Sequence, residues 1–292
     1  MSFSGDIKQE LNNLKNLANK ELVKYELIGY FLSGNVSVTK NDVIYTTESD
    51  YNINRFSKLL SNLNIDHNID ISGKIFVINI KKKNMQNKIS ILENENYKQE
   101  ILEKENDSEK LRAIVRGMFL GSGSINNPDN KYHLEISFSN FESFELAESI
   151  LKKLDINVKI MTVKNKYYVY LKEGEEISKM LALIGANNAV MKFEDIRIQR
   201  EMRGKVNRLV NCETANLNKT LNASVEQISA IKKIKEKGKF NKLNDNLKEI
   251  AELRLEYPDM ALSELGKKLS TPVGKSGVNY RLKKIIEIAE GL

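Results

Sequence analysis

Two short apolar segments with glycine at the same place, 88 residues apart, constrain this 292-residue chain more than any other feature. Leu27-Ile28-Gly29-Tyr30-Phe31-Leu32-Ser33-Gly34-Asn35 aligns by position with Val115-Arg116-Gly117-Met118-Phe119-Leu120-Gly121-Ser122-Gly123. The same succession of periodicities surrounds each. In the first copy a helical pattern over Glu21 to Ser33 precedes short alternating runs at Val36 to Val38 and Val43 to Thr47. A helix follows over Asn52 to Leu63, then strands over Ile65 to Ile71 and Lys74 to Ile80 about a Ser72-Gly73 turn, then a polar helix ending near Asp107. In the second copy the order is a helix over Leu111 to Leu120, a hairpin region from Ser124 to Phe138 and a helix over Glu142 to Leu154. Strands over Ile156 to Val163 and Lys166 to Leu171 and a helix over Glu175 to Ile184 complete it. The pattern αββαββα thus occurs twice. Its period is too long for a solenoid and predicts a duplicated domain, built without any need for dimerisation.

The paired segments resemble the LAGLIDADG helices of homing endonucleases, in which a central glycine lets two helices pack backbone to backbone. In that family the last aspartate of each motif binds the divalent metal. Gly34 and Ser122 stand at the matching positions, and Leu32 and Leu120 replace the preceding aspartate. Metal-assisted phosphodiester cleavage needs carboxylates to hold a hard cation against the phosphate. The resemblance therefore implies the fold without its catalytic ligands, no catalytic residue, and no metal or other cofactor. Residual metal-dependent endonuclease activity stays open as the less favoured alternative.

Charge divides the chain unevenly. Residues 1–105 hold 14 basic and 14 acidic side chains, 106–190 hold 11 of each, and 191–292 hold 21 and 14, so the net +7 resides in the last third. A basic terminal region on a neutral body is the electrostatic footprint of a nucleic-acid reader, because phosphate neutralisation supplies most non-specific affinity. Charge for solubility alone would produce the same imbalance. The neutral repeats, by contrast, do not read as a strong DNA saddle.

Within the basic third, residues 192–211 fit a helix with Ile198, Met202, Val206 and Leu209 on one face. Arg197, Arg200, Asn207, Arg208 and Asn211 lie on the other, and Arg203 belongs to the same run of candidate DNA contacts. Gly204 costs this helix about 1 kcal/mol relative to Ala. The Asn- and Thr-rich stretch NCETANLNKTLNA reads as a connection. From Ser224 the apolar stripe Val225, Ile228, Ile231 and Ile234 predicts a helix stopped at Gly238. Leu247, Ile250, Leu253 and Leu255 carry the next helix to Tyr257-Pro258, and a short third helix begins near Leu262 with Ser263 as N-cap. After the turn at Ser270 to Gly274, a fourth helix runs from about Ser276 into Ala289. A short helix, a tight turn and a longer basic helix make a helix-turn-helix layout. The N-terminal part of the second helix meets base edges in such proteins, which places Ser276, Asn279 and Tyr280 for readout and Lys275, Arg281, Lys283 and Lys284 for phosphates. An ordinary bundle with a solvated basic face is the alternative.

The single Cys212 makes no internal disulfide, and with only His67 and His133 it makes no Cys/His zinc site. No apolar run reaches the roughly 20 residues of a membrane helix, and the N-terminus lacks a signal-peptide core, so a cytoplasmic, nucleoid-associated protein with no membrane partner is expected.

Over almost its whole length the chain is similar to the bacterial WhiA family. RGMFLGSGSINNP, KYYVYLKEGEEI, MRGKVNRLVNCETANLNKT and LSELGKKLSTPVGKSGVNYRLKKIIEIAE carry that resemblance. It implies an α+β protein with two LAGLIDADG-like repeats over 1–107 and 108–190. A basic helix and linker follow over 191–223, then an all-α domain over 224–292 with its helix-turn-helix at about 260–292. The function implied is non-enzymatic binding of double-stranded DNA in cell division and chromosome segregation, with transcription regulation and, in some relatives, sporulation control. Division, segregation or transcription proteins are the implied protein partners. A scaffold for such partners, with DNA binding secondary, is the other reading.

Overall fold

The computed structural model describes residues 2–86, 88–89 and 96–292, which form two compact units, Met1–Glu201 and Met202–Leu292. In the first unit, helix α1 (Phe3–Asn12) precedes α2 (Lys20–Ser33), strands β1 (Val36–Val38) and β2 (Asp42–Thr47), α3 (Asp50–Asn62), β3 (Asn68–Ser72) and β4 (Ile75–Lys81). Two short helices, α4 (Lys82–Met85) and α5 (Tyr97–Lys104), lead to the second copy. That copy comprises α6 (Ser108–Ser122), β5 (Ser124–Ile125), β6 (Leu134–Phe138), α7 (Phe141–Lys153), β7 (Lys159–Val163), β8 (Lys166–Leu171) and α8 (Gly174–Ile184). The expected polar helix ending near Asp107 corresponds to α5; any part of it over 90–95 lies outside the described residues.

The duplication is visible in the sheets. The strand orders are β1-β2-β4-β3 and β5-β6-β8-β7, antiparallel throughout. In each sheet the strand before the second hairpin helix pairs with the last strand, as in Tyr45 opposite Ile78 and Ile136 opposite Val169. Alternation decides the faces: Val43, Tyr45, Ile78 and Ile80 in one sheet, and Leu134, Ile136, Phe138, Val169 and Leu171 in the other, are buried against the helices. Asn64 and Asp155, both with positive φ, end α3 and α7 at equivalent points.

α1 is a difference from expectation. Ser2 caps it by accepting from the Gly5 amide, and Phe3, Ile7 and Leu11, spaced four apart, bury one stripe in the core. The mixed charge of MSFSGDIKQE masks that stripe when the segment is judged by its overall polarity.

A 50-residue helix, α9 (Asn187–Glu236), corrects the expected linker. Ala189 and Phe193 belong to the core of the first unit, and Ala230, Ile231 and Ile234 to that of the second. Between them every residue from Lys205 to Ala223 is helical yet exposed. Asn and Thr each cost a helix only about half a kcal/mol relative to Ala, and a helix docked at both ends carries such a stretch.

In the second unit Gly238 ends α9 with φ +67°, and its amide reaches the Lys235 carbonyl. A 3₁₀ turn at Phe240–Lys242 leads to α10 (Asp245–Glu256), α11 (Leu262–Lys268) and α12 (Lys275–Glu290). Asn244 caps α10 through the Leu247 amide. Ala261, not Ser263, is the N-cap of α11, and Ser263 is exposed in its first turn. The core of this unit joins Ile231 and Ile234 to Leu247, Ile250, Leu265, Leu269, Val278, Leu282 and Ile285. No described helix is long and apolar enough to cross a membrane.

Candidate nucleic-acid interface

At the centre of the first unit α2 and α6 cross on their glycines. A Cβ added to Gly117 would lie 1.9 Å from the Glu26 carbonyl oxygen, and one added to Gly29 would lie 2.1 Å from that of Ile114. Only glycine allows this approach. It brings the C-terminal ends of the two helices together, where an endonuclease of this architecture would hold its metal. The chemistry found there is different. The Ser33 hydroxyl donates to the Met118 carbonyl at 2.8 Å, and the Asn52 amide nitrogen donates to that of Leu120 at 2.6 Å. The Ser122 hydroxyl donates to the Ser137 carbonyl at 2.7 Å and accepts from the Ser137 amide at 3.2 Å. Gly34 presents only its backbone, and its amide is bonded to the Tyr30 carbonyl. A hydroxyl engaged on both sides by one backbone residue, facing a glycine, does not fit a hard divalent cation, which takes carboxylate and other oxygen ligands. Among the described residues no three of His, Cys, Asp and Glu are grouped as a metal would require.

Midway along the same helices, beside the crossing, lies a buried charge cluster invisible to local pattern. The Glu26 carboxylate, 1% exposed, receives Arg55 Nε at 2.7 Å and Nη2 at 2.9 Å, and Arg116 Nη1 from the second repeat at 3.0 Å. Arg55 also donates to the Leu14 carbonyl and the Asn16 side chain, and Arg116 to the Ile184 carbonyl. The cluster joins the repeats and is fully hydrogen-bonded, which such a buried group requires. Its role is architectural.

The outward faces of the sheets, which would line a DNA saddle, are not basic. Asp42, Asp70 and Lys81 share that face in the first sheet, with Lys81 paired to Asp42 at 2.8 Å and Asp70 accepting from Asn79. In the second sheet Glu135, Tyr168 and Tyr170 face outward with Lys159 and Lys166; Glu135 meets His133 at 2.9 Å, and Lys159 lies 3.6 Å from Glu173. Charges neutralised within the sheet make a weak phosphate cradle.

The predicted arginines of α9 separate into two kinds. Arg197 is half-buried and bonded to Glu194 at 2.8 Å. Arg200 donates to the Pro128 carbonyl at 2.6 Å and lies 4.4 Å over the Tyr132 ring. These two do not belong to an open Arg/Asn face, which corrects the expectation: Arg200 holds the helix to the second repeat, and Arg197 is paired within α9 itself. Arg203 and Arg208 are exposed, as are Ile198, Met202, Val206 and Leu209 of the apolar stripe.

On α12 the predicted division of faces is present. Val278, Leu282, Ile285 and Ala289 are buried, whereas Lys275, Ser276, Asn279, Tyr280, Lys283 and Lys284 are exposed. Arg281 is half-buried, with Nη1 sealed from solvent and lacking a hydrogen-bond partner. α11 is held against the following turn so closely that a Cβ on Gly266 would lie 2.1 Å from the Val273 carbonyl oxygen. Glu249 of α10 secures the turn by accepting from the Ser270 hydroxyl at 3.1 Å. The exposed face of α12 is therefore borne on a rigid three-helix support. Sequence reasoning missed Arg254 of α10, which is 1% exposed and donates to the carbonyls of Tyr257, Pro258 and Met260. The apolar pattern had assigned that side of α10 to Leu253 and Leu255.

Comparison with known proteins agrees with both units. A family model described as the WhiA C-terminal HTH domain matches residues 206–289, and one described as the WhiA LAGLIDADG-like domain matches residues 111–203. The chain is 47% identical over 223 residues to a protein of Thermoanaerobacter sp. (strain X514) named "Probable cell division protein WhiA", with 76% of this chain and 67% of that one covered. It is 50% identical over 186 residues to the protein of the same name from Clostridium beijerinckii, with 64% and 59% covered, so the match spans less than two thirds of that relative's length. The crystal structure of full-length WhiA from Thermotoga maritima superposes with a TM-score of 0.62 at 29% identity, over 100% of this chain and 99% of that one. The crystal structure of the isolated N-terminal LAGLIDADG domain of a WhiA protein aligns at 24% identity with a TM-score of 0.51, over 63% of this chain and 92% of that one.

Proposed function

The chain belongs to the WhiA family, and from that premise we propose that it is a non-enzymatic protein of bacterial cell division that binds double-stranded DNA through its second unit. The observation that carries this reading is the exposed face of α12. Lys275, Ser276, Asn279, Tyr280, Lys283 and Lys284 stand clear of a helix whose other side is anchored in the core. A helix supported in this way enters the major groove with its N-terminal residues at the base edges. Ser276, Asn279 and Tyr280 are assigned to readout, and Lys275, Arg281, Lys283 and Lys284, with Arg203 and Arg208 of α9, to phosphates. The LAGLIDADG-like unit acts as a scaffold rather than a nuclease, since Gly34 and Ser122 supply no carboxylate. Chromosome segregation and transcription regulation, at the nucleoid in the cytoplasm, are the settings in which this binding operates.

Duplex affinity of the full chain, measured by fluorescence anisotropy across a salt series, tests the proposal. Affinity should fall steeply with salt, and the double substitution Lys283→Glu, Lys284→Glu should weaken it at least about tenfold, because two phosphate contacts become repulsive. Salt-insensitive binding, or none, overturns the reading. A protein-scaffold role is favoured by one observation, the exposed Ile198, Met202, Val206 and Leu209 on α9. It predicts that the same double substitution leaves the division phenotype intact.

A further inference from the structure

Within the second unit α9, α10, α11 and α12 enclose a pocket of about 250 Å³, lined among others by Lys219, Thr220, Arg254, Ser263, Lys275 and Asn279. Three of its lining residues are cations, and none is a carboxylate. One deeply buried cation lines it with donor capacity unused: Arg254, 1% exposed, directs Nη1 to three backbone carbonyls while its Nε has no partner. No carboxylate forms an ion pair with Arg254 among the described residues. Burial opposes its charge, and Asp259 acts on it only through space in the other direction. A buried cation without an anionic partner is costly, and an anion entering the pocket removes that cost.

The remaining lining groups suit one kind of anion. The Ser263 hydroxyl, the Asn279 amide and two lysine ammoniums are the donor types that grip phosphate oxygens, whereas the Thr220 hydroxyl already donates to the Asn216 carbonyl. Lys275 and Asn279 also open α12, whose first turn carries no acidic residue and whose N-cap, Gly274, makes no side-chain cap, leaving its amides available to negative charge. The pocket thus adjoins the first turns of the helix assigned to the major groove, beside which the DNA backbone must run.

We propose that this pocket is a phosphate site that clamps one backbone phosphate of bound DNA, with Lys219 of the long helix contributing a cation to it. The inference rests on the DNA-binding reading above and adds to it a contact from a segment that sequence alone assigns to a linker.

The test compares the full-length wild type with Lys219→Gln and with Lys237→Gln, an equal charge change at an exposed lysine outside the pocket. Duplex affinity is measured from about 50 to 300 mM salt. A lost phosphate contact lowers the slope of log Kd against log salt by about one, so Lys219→Gln should show that drop with a loss of roughly fivefold in affinity, and Lys237→Gln neither. Ser263→Ala, which keeps the charge, should weaken binding about threefold with the slope unchanged. Equal behaviour of the two lysine variants overturns the clamp while leaving DNA binding in place; no duplex binding by the wild type overturns both. Inorganic phosphate, titrated at constant ionic strength, separates the sources. If it binds the wild type in a Lys219-dependent way while Lys219→Gln keeps the full DNA salt slope, the pocket serves a free anion and the backbone assignment fails.

Discussion

Substituting Gly117 by alanine tests the closest contact in the molecule. The added methyl would start 1.9 Å from the Glu26 carbonyl oxygen and has to retreat beyond 3.0 Å, so α2 and α6 must separate locally by about 1.1 Å or more. The obstacle is backbone on a neighbouring helix, which has no rotamer to change. A gap of 0.5–1 Å already forfeits about a quarter to a half of the dispersion energy of the atoms facing it. Those atoms include the fully buried Ile28, Ile114 and Met118. Overpacking of this kind costs about 1–3 kcal/mol where side chains can adjust and more where they cannot, while alanine returns about 1 kcal/mol of helix propensity. The net expectation is a destabilisation of the first unit by about 2–4 kcal/mol, a large part of an ordinary domain's stability. Urea unfolding followed by circular dichroism and tyrosine fluorescence, fitted with one transition per unit, would show the first unit unfolding earlier and the second unchanged. Gly204→Ala is the matched control: its methyl would meet only Arg208 Nη1, at 3.7 Å, and should stabilise α9. A Gly117→Ala protein whose first transition falls at the wild-type midpoint would refute the backbone-to-backbone crossing.

Three further outcomes follow from the same geometry. Arg55→Met leaves Glu26 buried without its bidentate partner and should cost about 3–5 kcal/mol in the same unfolding assay; a smaller loss than that of an ordinary surface substitution would contradict the cluster's burial. Burial pushes the Glu105 carboxyl up, but hydrogen bonds from Tyr25, the Asp107 amide and Lys110 outweigh it and hold its pKa below 4.5. The stability it contributes is therefore complete above about pH 4.5 and lost as pH falls through the lower folded value, so the deficit of Glu105→Gln at neutral pH should vanish in acid. Supercoiled plasmid incubated with Mg²⁺ or Mn²⁺ should remain intact; nicking that Ser122→Ala abolishes would restore the endonuclease reading.

Much of the first unit was legible because its signals are local. Apolar residues at helical and strand spacings place α2, α3, α6 and α7 and both long hairpins within a few residues, and the duplicated order identifies which strands correspond. α1 was equally legible through Phe3, Ile7 and Leu11 but is obscured by the charges between them. The exposed face of α12 could be read because its alternation with Val278, Leu282 and Ile285 lies within one helix. Whether Arg200 is free for DNA could not, since Pro128 and Tyr132, its partners, lie about 70 residues away in the chain.

By itself the sequence determined the duplication, the glycines on which the repeats cross, the absence of carboxylates at Gly34 and Ser122, and the confinement of excess positive charge to the last third. These properties are carried by residue identity and by spacing along one element. Tertiary structure alone decided that residues 212–223 continue a helix, that Glu26 joins two arginines from different repeats, and that Arg254 and Gln227 meet Lys219 and Lys275 around one pocket. Each depends on which distant surfaces dock, and a buried charge or an exposed helix turn takes its meaning from neighbours that the local pattern does not contain.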